Sequence, residues 1–341
     1  MRDKGVGRNL AALALGLAVA ALLLEAGSRW IRSVEAPAHT EAPITFAPVG
    51  EAPPQAVDGD LNSIHILDDW TWWRVKPDLH DYHIAIPWTQ RDFVLNTDAH
   101  GFRRTGDDHA GVPLRVFAAG DSTTFGVGVN DDETWPAQLE ALLPEGSEVV
   151  NAGVPGFTSF QSVRMAEMHG AEPRPDVVVI CAGFNDPAQT PPGELPDLKR
   201  AAQADADADR PASAFLALVA DAVAGAQPKA PEDQPPRISR EDYVETLEAA
   251  EAYFAERGIP LVWIRWPTQR EVERDQAPSG GYPDLLLEHC CQPGVRCVDL
   301  MPTFKALPES PYFDFVHATA EGNAAAAKVI AESLRLSGLA E

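Results

Sequence analysis

The chain has 341 residues, of which 45% are hydrophobic, a composition that is ordinary for a globular protein with one large domain and smaller appendages. Its formal net charge of -24 at pH 7 argues against nucleic acid as a partner, because phosphate backbones require clustered lysine and arginine. The same charge argues against broad contact with anionic lipid and predicts a soluble acidic surface.

The amino-terminal segment predicts export from the cytoplasm. Three basic residues precede an uninterrupted apolar run at residues 10–24, and Trp30 follows it. A helix from this run to Trp30 approaches the roughly 30 Å hydrocarbon core of a bilayer. We therefore expect residues 1–8 in the cytoplasm and residues 9–32 as a membrane anchor, with the remaining chain in the periplasm or at the cell surface. A cleaved signal peptide, and hence a secreted protein, is the alternative, since residues 26–28 are small enough for cleavage.

Two segments connect this anchor to the main domain. Residues 33–60 are rich in Pro, Ala, Glu and Thr without periodicity, which predicts a flexible linker. Residues 61–112 show short extended patterns and predict a small strand-rich extension that packs on the core. A glycan-stacking platform is the alternative role for the aromatic side chains of this extension, which are Trp70, Trp72, Trp73, Tyr82, Trp88 and Phe93.

From residue 113 onward, short apolar segments alternate with longer helical ones, which is typical of a parallel α/β sheet. The pattern predicts a flavodoxin-like three-layer α/β/α sandwich of residues 113–341 with about five parallel strands. The predicted strands are residues 114–119, 148–151, 176–182, 260–266 and 295–300, and the predicted helices include residues 135–143, 243–257 and 320–336.

An insertion at residues 187–240 interrupts this alternation. It is rich in Pro, Ala and Asp, with a predicted helix at residues 212–225. The insertion either caps a ligand crevice or is a solvated surface segment.

Three candidate functional residues each follow a predicted strand. Ser122 follows the first strand, Gly156 the second and Asn185 the third. Because the carboxyl ends of parallel strands meet at one edge of a sheet, where ligands bind at the point of strand-order reversal, we expect these residues to meet at a crevice.

The residue types predict nucleophilic catalysis on an ester. Ser122 lies in Gly120-Asp121-Ser122, and Asp314-Phe315-Val316-His317 lies near the end of the chain. A serine hydroxyl is a weak nucleophile until an imidazole accepts its proton, and a carboxylate orients that imidazole. Backbone N–H groups of Ser122 and Gly156, with the Asn185 side-chain amide, can supply three donors to an oxyanion. Each motif alone is common, but their joint order indicates a serine esterase.

The segments at Ser122, Gly156, Asn185 and Asp314–His317 resemble, in order and type, the four blocks of the SGNH hydrolase superfamily, also called the GDSL esterases. The resemblance covers roughly residues 113–335. It implies Ser122 as nucleophile and His317 and Asp314 as its partners. No cofactor is expected. Thr123 stands where the lipase branch usually has leucine, which weakens the prediction that the substrate is a long-chain lipid. Residues 96–103 and the amino-terminal apolar segment resemble the membrane-anchored bacterial branch.

The expected protein is therefore an exported serine esterase that hydrolyses carboxylic esters of short acyl groups through an acyl-serine intermediate, with cell-surface glycans among the candidate substrates. An O-acyltransferase that passes the acyl group to a glycan hydroxyl would use the same residues. A non-catalytic glycan-binding or scaffold protein is the third alternative. The expected partners are the ester substrate and, through the amino-terminal segment, the membrane.

The cysteines agree with export. Cys290, Cys291 and Cys297 cluster around a Pro-Gly loop, and we expect a disulfide from Cys297 to either Cys290 or Cys291 in an oxidising compartment. Cys181 lies in an apolar run and is expected to be a small buried side chain. The spacing provides no second cysteine pair for a zinc site, so no metal is expected.

Overall fold

The computed structural model describes residues 58–86, 89, 91–106, 113–169, 173–191, 194–208, 234–276 and 281–340. The expected cytoplasmic terminus, the anchor at residues 9–32, most of the linker and the helix at residues 212–225 lie outside the described residues. Within the described part of the chain, no helix combines the length and the hydropathy needed to span a membrane. The described residues fall into two compact units; residues 191, 194–195, 199–208 and 234 form the smaller one, and the others form the larger one.

The extension consists of two antiparallel hairpins. Strands β1 (His65–Asp68) and β2 (Trp72–Val75) form the first, and β3 (Tyr82–Ile86) and β4 (Arg91–Leu95) form the second. The expected linker extended to residue 60, but residues 58–60 belong to this ordered region. The reason is that the N–H groups of Asp58 and Gly59 donate to the carbonyl of His83, and Gly59 bridges β3.

The main domain contains the predicted parallel sheet. Its five strands are β5 (Arg115–Gly120), β6 (Glu148–Gly153), β7 (Val177–Cys181), β8 (Leu261–Arg265) and β9 (Arg296–Asp299), in the spatial order β6-β5-β7-β8-β9. This is the flavodoxin-like order, and the prediction of about five parallel strands is confirmed. Gly120 pairs with Gly153 on one side and with Cys181 on the other. The first three strands therefore end at the same level, and the loops that follow them meet.

Helices cover both faces of this sheet. One apolar core packs against one face of the sheet and includes Trp135 and Ile330. The other core packs against the opposite face and includes Tyr243, Leu286 and apolar side chains of the extension hairpins. The helices are α1 (Ser122–Phe125), α2 (Trp135–Glu140), α3 (Ser159–His169), α4 (Asp197–Ala208), α5 (Arg240–Glu256), α6 (Gln269–Arg274), α7 (Tyr282–Cys290), α8 (Met301–Lys305) and α9 (Ala320–Leu336).

Helix α3 was missing from the predicted helices for a physical reason. Its buried side includes Ser159, Gln161 and Ser162 as well as apolar residues, so its sequence lacks a continuous apolar stripe. These polar side chains are buried with hydrogen bonds. For example, the Gln161 Nε2 donates to the Thr71 carbonyl at 2.7 Å, and the Ser162 hydroxyl donates to the Thr158 carbonyl at 2.8 Å.

The structure pairs Cys290 with Cys297, with 5.8 Å between their Cα atoms. This disulfide ties the end of α7 to β9. Cys291, the other candidate partner, is an exposed free thiol, and Cys181 is a buried free thiol beside the nucleophile loop.

A buried arginine connects the extension to the main domain. All five N–H donors of the Arg103 guanidinium have acceptors, although its side chain is inaccessible to solvent. Its Nε donates to Asp131 Oδ1 at 2.6 Å. The other donors bind carbonyl oxygens of Val94, Phe125, Gly126 and Val129 at 3.1, 2.9, 2.7 and 2.7 Å. Val94 lies in β4, and the other three carbonyls belong to the last residue of α1 and to the loop that follows it.

Replacing this arginine should therefore destabilise the whole fold. We expect Arg103→Lys to lower the free energy of unfolding by at least about 3 kcal/mol, because a lysine keeps the charge but leaves several buried carbonyls without donors. Urea unfolding measures the loss. Arg115→Lys is the matched control: Arg115 forms a partly exposed pair with Glu148, and its replacement should change stability by less than about 1 kcal/mol. Equal losses in the two variants would contradict the anchoring role of Arg103.

Candidate active site

The turn after β5 is built to present Ser122. Asp121 caps the short helix α1, since its Oδ1 accepts the Thr123 backbone N–H at 2.9 Å and the Thr123 hydroxyl at 2.7 Å. Burial raises the pKa of Asp121, and the hydrogen bonds from Thr123 and the charge of His317 oppose that rise. Gly120 is required here because a Cβ would lie 2.1 Å from the Thr124 hydroxyl oxygen and 2.2 Å from the Cys181 carbonyl. Asp121 therefore shapes the turn.

The fold brings Ser122, His317 and Asp314 into one hydrogen-bonded chain. The Ser122 Oγ lies 2.9 Å from the His317 Nε2, and the His317 Nδ1 lies 2.7 Å from the Asp314 Oδ2. Both His317 and Asp314 are buried at their side chains. This arrangement is the one by which serine hydrolases activate a hydroxyl group.

Asp314 is held in its charged form. Burial opposes ionisation, but the hydrogen bond and charge of His317, together with backbone N–H groups, outweigh it and lower the pKa of Asp314. Its Oδ1 accepts the N–H groups of Val316 and His317 at 2.9 and 2.8 Å. The same tight turn thus fixes the carboxylate and, through it, the orientation of the imidazole.

Aromatic rings hold the imidazole from two sides. Phe313 stacks on His317 at 5.9 Å between ring centroids, and Phe315 contacts it at a tilt at 6.1 Å. The Phe313 ring also occupies the space beside Gly128, where a Cβ would meet its Cζ at 2.1 Å. The guanidinium of Arg91, the first residue of β4, lies over the Phe313 ring at 5.0 Å from its centroid. The extension therefore supports the position of the candidate base.

The other two predicted donors lie on loops bonded to the nucleophile loop and to each other. Val154 donates to the Gly120 carbonyl at 3.0 Å, which joins the loop after β6 to the end of β5. Gly156 adopts a left-handed backbone with a φ of 85°. The Asn185 Nδ2 donates to the Phe157 carbonyl at 2.9 Å, so the loop after β7 is bonded to the loop after β6.

A second buried arginine, Arg237, holds the Gly156 loop. Its Nη1 donates to the Gly156 carbonyl at 2.7 Å, and its Nη2 donates to Gln161 Oε1 at 2.6 Å and to Asp197 Oδ2 at 3.1 Å. The guanidinium also lies 5.3 Å from the Trp73 ring centroid. Arg237 falls within the insertion that the sequence predicted at residues 187–240. Residues 235–240 group with the larger unit, however, so the insertion ends before residue 235. Nothing in the local sequence distinguishes Arg237, because its partners are remote in the chain.

A cavity of about 450 Å³ lies beside the candidate nucleophile. Its lining includes Asp121 and Thr123, which flank Ser122, as well as Phe184 and Phe315. Across the described ranges, no cluster of three or more His, Cys, Asp or Glu side chains is arranged to hold a metal ion.

The family comparison agrees with this geometry. The chain belongs to the GDSL-like lipase/acylhydrolase family, whose profile matches residues 118–325. That span contains all five residues singled out by the sequence motifs. No curated protein matches the chain by sequence.

The chain is also similar to several solved structures. A lipase/acylhydrolase from Enterococcus faecalis is 19% identical with a TM-score of 0.43, over 66% of this chain and 96% of that one. A catalytic mutant of an acetylxylan esterase from Geobacillus stearothermophilus is 15% identical with a TM-score of 0.43, over 67% and 96%. A member of the lipolytic G-D-S-L family from Veillonella parvula is 13% identical with a TM-score of 0.40, over 65% and 96%.

A buried carboxylic acid next to Asn185 should make stability depend on pH. Asp186 is fully buried and accepts the N–H of Ser159 at 3.0 Å and the Ser159 hydroxyl. Burial raises the pKa of Asp186 from 3.8 to about 7, against the hydrogen bonds of Ser159 and the charge of Arg237. Between these two values the unfolded chain ionises while the folded chain keeps the proton. The free energy of unfolding should therefore fall as the pH rises from about 4 to about 7.

Asp186→Asn should remove this dependence, because an amide does not titrate. We expect its free energy of unfolding, relative to the native protein, to rise across this pH range by at most roughly 4 kcal/mol. Urea unfolding at pH 5, 6, 7 and 8 measures the effect, with the exposed Asp284→Asn as the matched control. A pH profile of Asp186→Asn parallel to that of the native protein would show that Asp186 is already ionised in the folded state.

Proposed function

We propose that this protein hydrolyses carboxylic esters of short acyl groups through an acyl-serine intermediate. The observation that carries the proposal is the 2.9 Å contact between Ser122 Oγ and His317 Nε2, on an imidazole that Asp314 orients at 2.7 Å. Membership of the GDSL-like lipase/acylhydrolase family supports the same reaction class.

In the first half of the reaction, Ser122 Oγ attacks the ester carbonyl carbon while His317 Nε2 accepts the hydroxyl proton. Asp314 stabilises the resulting imidazolium, and its own pKa, lowered by the contact with His317, keeps it charged. The imidazolium then donates the proton to the leaving alcohol oxygen, and the acyl group remains on Ser122. In the second half, water attacks the acyl carbon while His317 Nε2 accepts one of its protons. The imidazolium then returns that proton to Ser122 Oγ as the bond between Oγ and the acyl carbon breaks, which releases the acid and restores both residues.

Three donors would stabilise the oxyanion of each tetrahedral intermediate. The Ser122 N–H lies in the first turn of α1, where backbone amides lack helical acceptors and favour negative charge. Gly156 would supply the second N–H from its left-handed turn. The Asn185 amide carries two N–H groups, of which one binds Phe157, so the other can serve the oxyanion. Each donor of this kind lowers the barrier by about 3 to 4 kcal/mol.

Variants of the hydrogen-bonded chain test this mechanism. Ser122→Ala and His317→Ala should each reduce kcat for short-chain ester hydrolysis by roughly four to six orders of magnitude, and the double variant should be scarcely worse, because the two residues act as one unit. Hydrolysis of p-nitrophenyl acetate gives the rates, and a fluorophosphonate probe with mass spectrometry gives the site of labelling. Ser337→Ala, at the exposed end of α9, is the control. Labelling of a serine other than Ser122, or full activity in Ser122→Ala, would refute the assignment.

We also propose that the hydrolase domain acts outside the cytoplasm and is attached to the membrane through residues 9–32. The apolar run in the sequence and the Cys290–Cys297 disulfide support this location, because structural disulfides persist mainly in oxidising compartments. Sequencing the amino terminus of the membrane-extracted protein tests the attachment. A terminus close to residue 29, with the protein released into the soluble fraction, would replace the anchor by a cleaved signal peptide.

A further inference from the structure

The loop after β6 contains three consecutive carbonyl groups that each accept a hydrogen bond from a remote side chain. The donors and the carbonyls that they bind are Trp73 Nε1 and Pro155 at 3.2 Å, Arg237 Nη1 and Gly156 at 2.7 Å, and Asn185 Nδ2 and Phe157 at 2.9 Å. The donors come from β2, from the segment before α5 and from the loop after β7. Contacts from outside the loop therefore set the orientation of its peptide groups.

One N–H group of the same loop differs from its neighbours. The N–H of Phe157 donates to the Val154 carbonyl at 3.2 Å, and the N–H of Thr158 donates to Gln161 Oε1 at 3.1 Å. The N–H of Gly156, by contrast, has no acceptor among the residues that the structure describes. Protein N–H groups are nearly always hydrogen-bonded, so the Gly156 N–H requires an oxygen atom from outside the chain.

A single peptide group connects the Trp73 contact to this N–H. The Pro155 carbonyl and the Gly156 N–H belong to the same peptide group. A trans peptide group is planar, and its C=O and N–H bonds point in opposite directions. The indole that holds the Pro155 oxygen therefore also limits the directions in which the Gly156 N–H can point.

Trp73 is fixed well enough to hold this peptide group. Its side chain is buried, and its ring packs edge to face on Phe157 at 5.6 Å between centroids. The Arg237 guanidinium lies over the same ring at 5.3 Å from its centroid. The backbone of Trp73 pairs with Leu67 in the first hairpin, and its carbonyl accepts the Thr71 hydroxyl at 3.1 Å. A donor that is packed in this way orients its acceptor more strictly than a mobile one.

We propose that Trp73 is a positioning residue for catalysis, which directs the Gly156 N–H toward the oxyanion through its hydrogen bond to the Pro155 carbonyl. Trp73 lies outside residues 118–325, the span that matches the family profile, so this role belongs to the extension of this chain. The inference rests on the proposed ester hydrolysis and adds a residue from the extension to it.

Trp73→Phe tests the proposal, because phenylalanine keeps an aromatic ring beside Phe157 and removes the indole N–H. We expect kcat for p-nitrophenyl acetate to fall roughly ten- to a hundredfold, which is less than the loss of a whole oxyanion donor, because the Gly156 N–H is misdirected rather than removed. KM should change by less than about threefold, since the oxyanion exists only along the reaction path. An unchanged kcat, or a loss confined to KM, would overturn the proposal.

Trp263→Phe is the matched control. Trp263 is a buried residue of β8 whose Nε1 donates to Glu251 Oε1 at 2.8 Å, so its replacement removes the same kind of hydrogen bond. Urea unfolding of both variants measures the accompanying loss of stability. The control should keep kcat within about twofold of the native value, because its contacts are not shared with the Gly156 loop. An equal loss of kcat in both variants would assign the effect to general loosening of the core and overturn the proposal.

Replacing Trp73 by 3-benzothienylalanine keeps the proposal testable if Trp73→Phe does not fold. This amino acid has nearly the shape of tryptophan but carries sulfur in place of the indole N–H, so it retains the packing on Phe157 and under Arg237. The same fall in kcat is expected. A native kcat in this protein would show that the hydrogen bond to Pro155 has no part in the rate.

Binding of phenylboronic acid separates this inference from the proposed reaction. Ser122 Oγ adds to the trigonal boron while His317 accepts the hydroxyl proton, and an oxygen of the resulting tetrahedral boronate takes the position of the oxyanion. No ester is cleaved, so binding is measured whether or not the protein hydrolyses esters.

Calorimetry of the native protein and of the two tryptophan variants gives the boronate affinities. The Kd should rise at least about fivefold in Trp73→Phe and stay near the native value in Trp263→Phe. Equal affinities of the native protein and Trp73→Phe, or no binding by either, would overturn the positioning role. Absence of ester hydrolysis together with a boronate affinity that depends on Trp73 would refute the proposed reaction alone.

Discussion

The hydrogen bonds of Arg103 are the constraint on which the candidate site depends. Phe125, Gly126 and Val129 turn their carbonyl oxygens inward, where water cannot reach them, and the guanidinium supplies their donors. Without these bonds the loop after Ser122 would contain several buried unpaired acceptors, and each would carry a desolvation penalty. Because the same guanidinium also binds the Val94 carbonyl in β4, the extension is part of the support of the nucleophile loop rather than a separate module.

Arg237 supports the second loop in the same way. It binds the Gly156 carbonyl and stacks on Trp73, whose own indole N–H donates to the Pro155 carbonyl at 3.2 Å. Both arginines therefore use the extension hairpins to hold loops at the carboxyl edge of the sheet. The aromatic residues of the extension pack in this support: Trp73 is buried beside Phe157, and Phe93 is buried beside Phe125 and under Arg103. This packing gives Trp73 and Phe93 a structural role that does not require them to stack on a glycan.

The candidate site combines contacts of very different range. Asp314 and His317 form their contact within one turn, so local backbone geometry orients the imidazole. Ser122 lies 195 residues away and reaches His317 only because the strands end at one level and α9 returns to the sheet. The cavity is formed in a similar way, from the ends of β7 and β8, from α7 and from the turn with Phe315. The hydrogen-bonded chain and the cavity therefore lie at the same edge of the sheet and share the turn that contains Phe315.

The sequence by itself determined the elements whose signals are local. The sequence predicted the apolar runs of the five strands, the bounds of α9 at Ala320–Leu336 and the order of the motifs from Ser122 to His317. These features can be predicted because burial on both faces, capping and short turns impose patterns on neighbouring residues. Tertiary structure alone decided which cysteine pairs with Cys297, that α3 is a helix with buried polar residues, and that Arg103, Arg237 and Arg265 are buried beside the site. An arginine shows no local sign of whether it will be solvated or buried, since that depends on carbonyl and carboxylate acceptors contributed by segments far away in the chain.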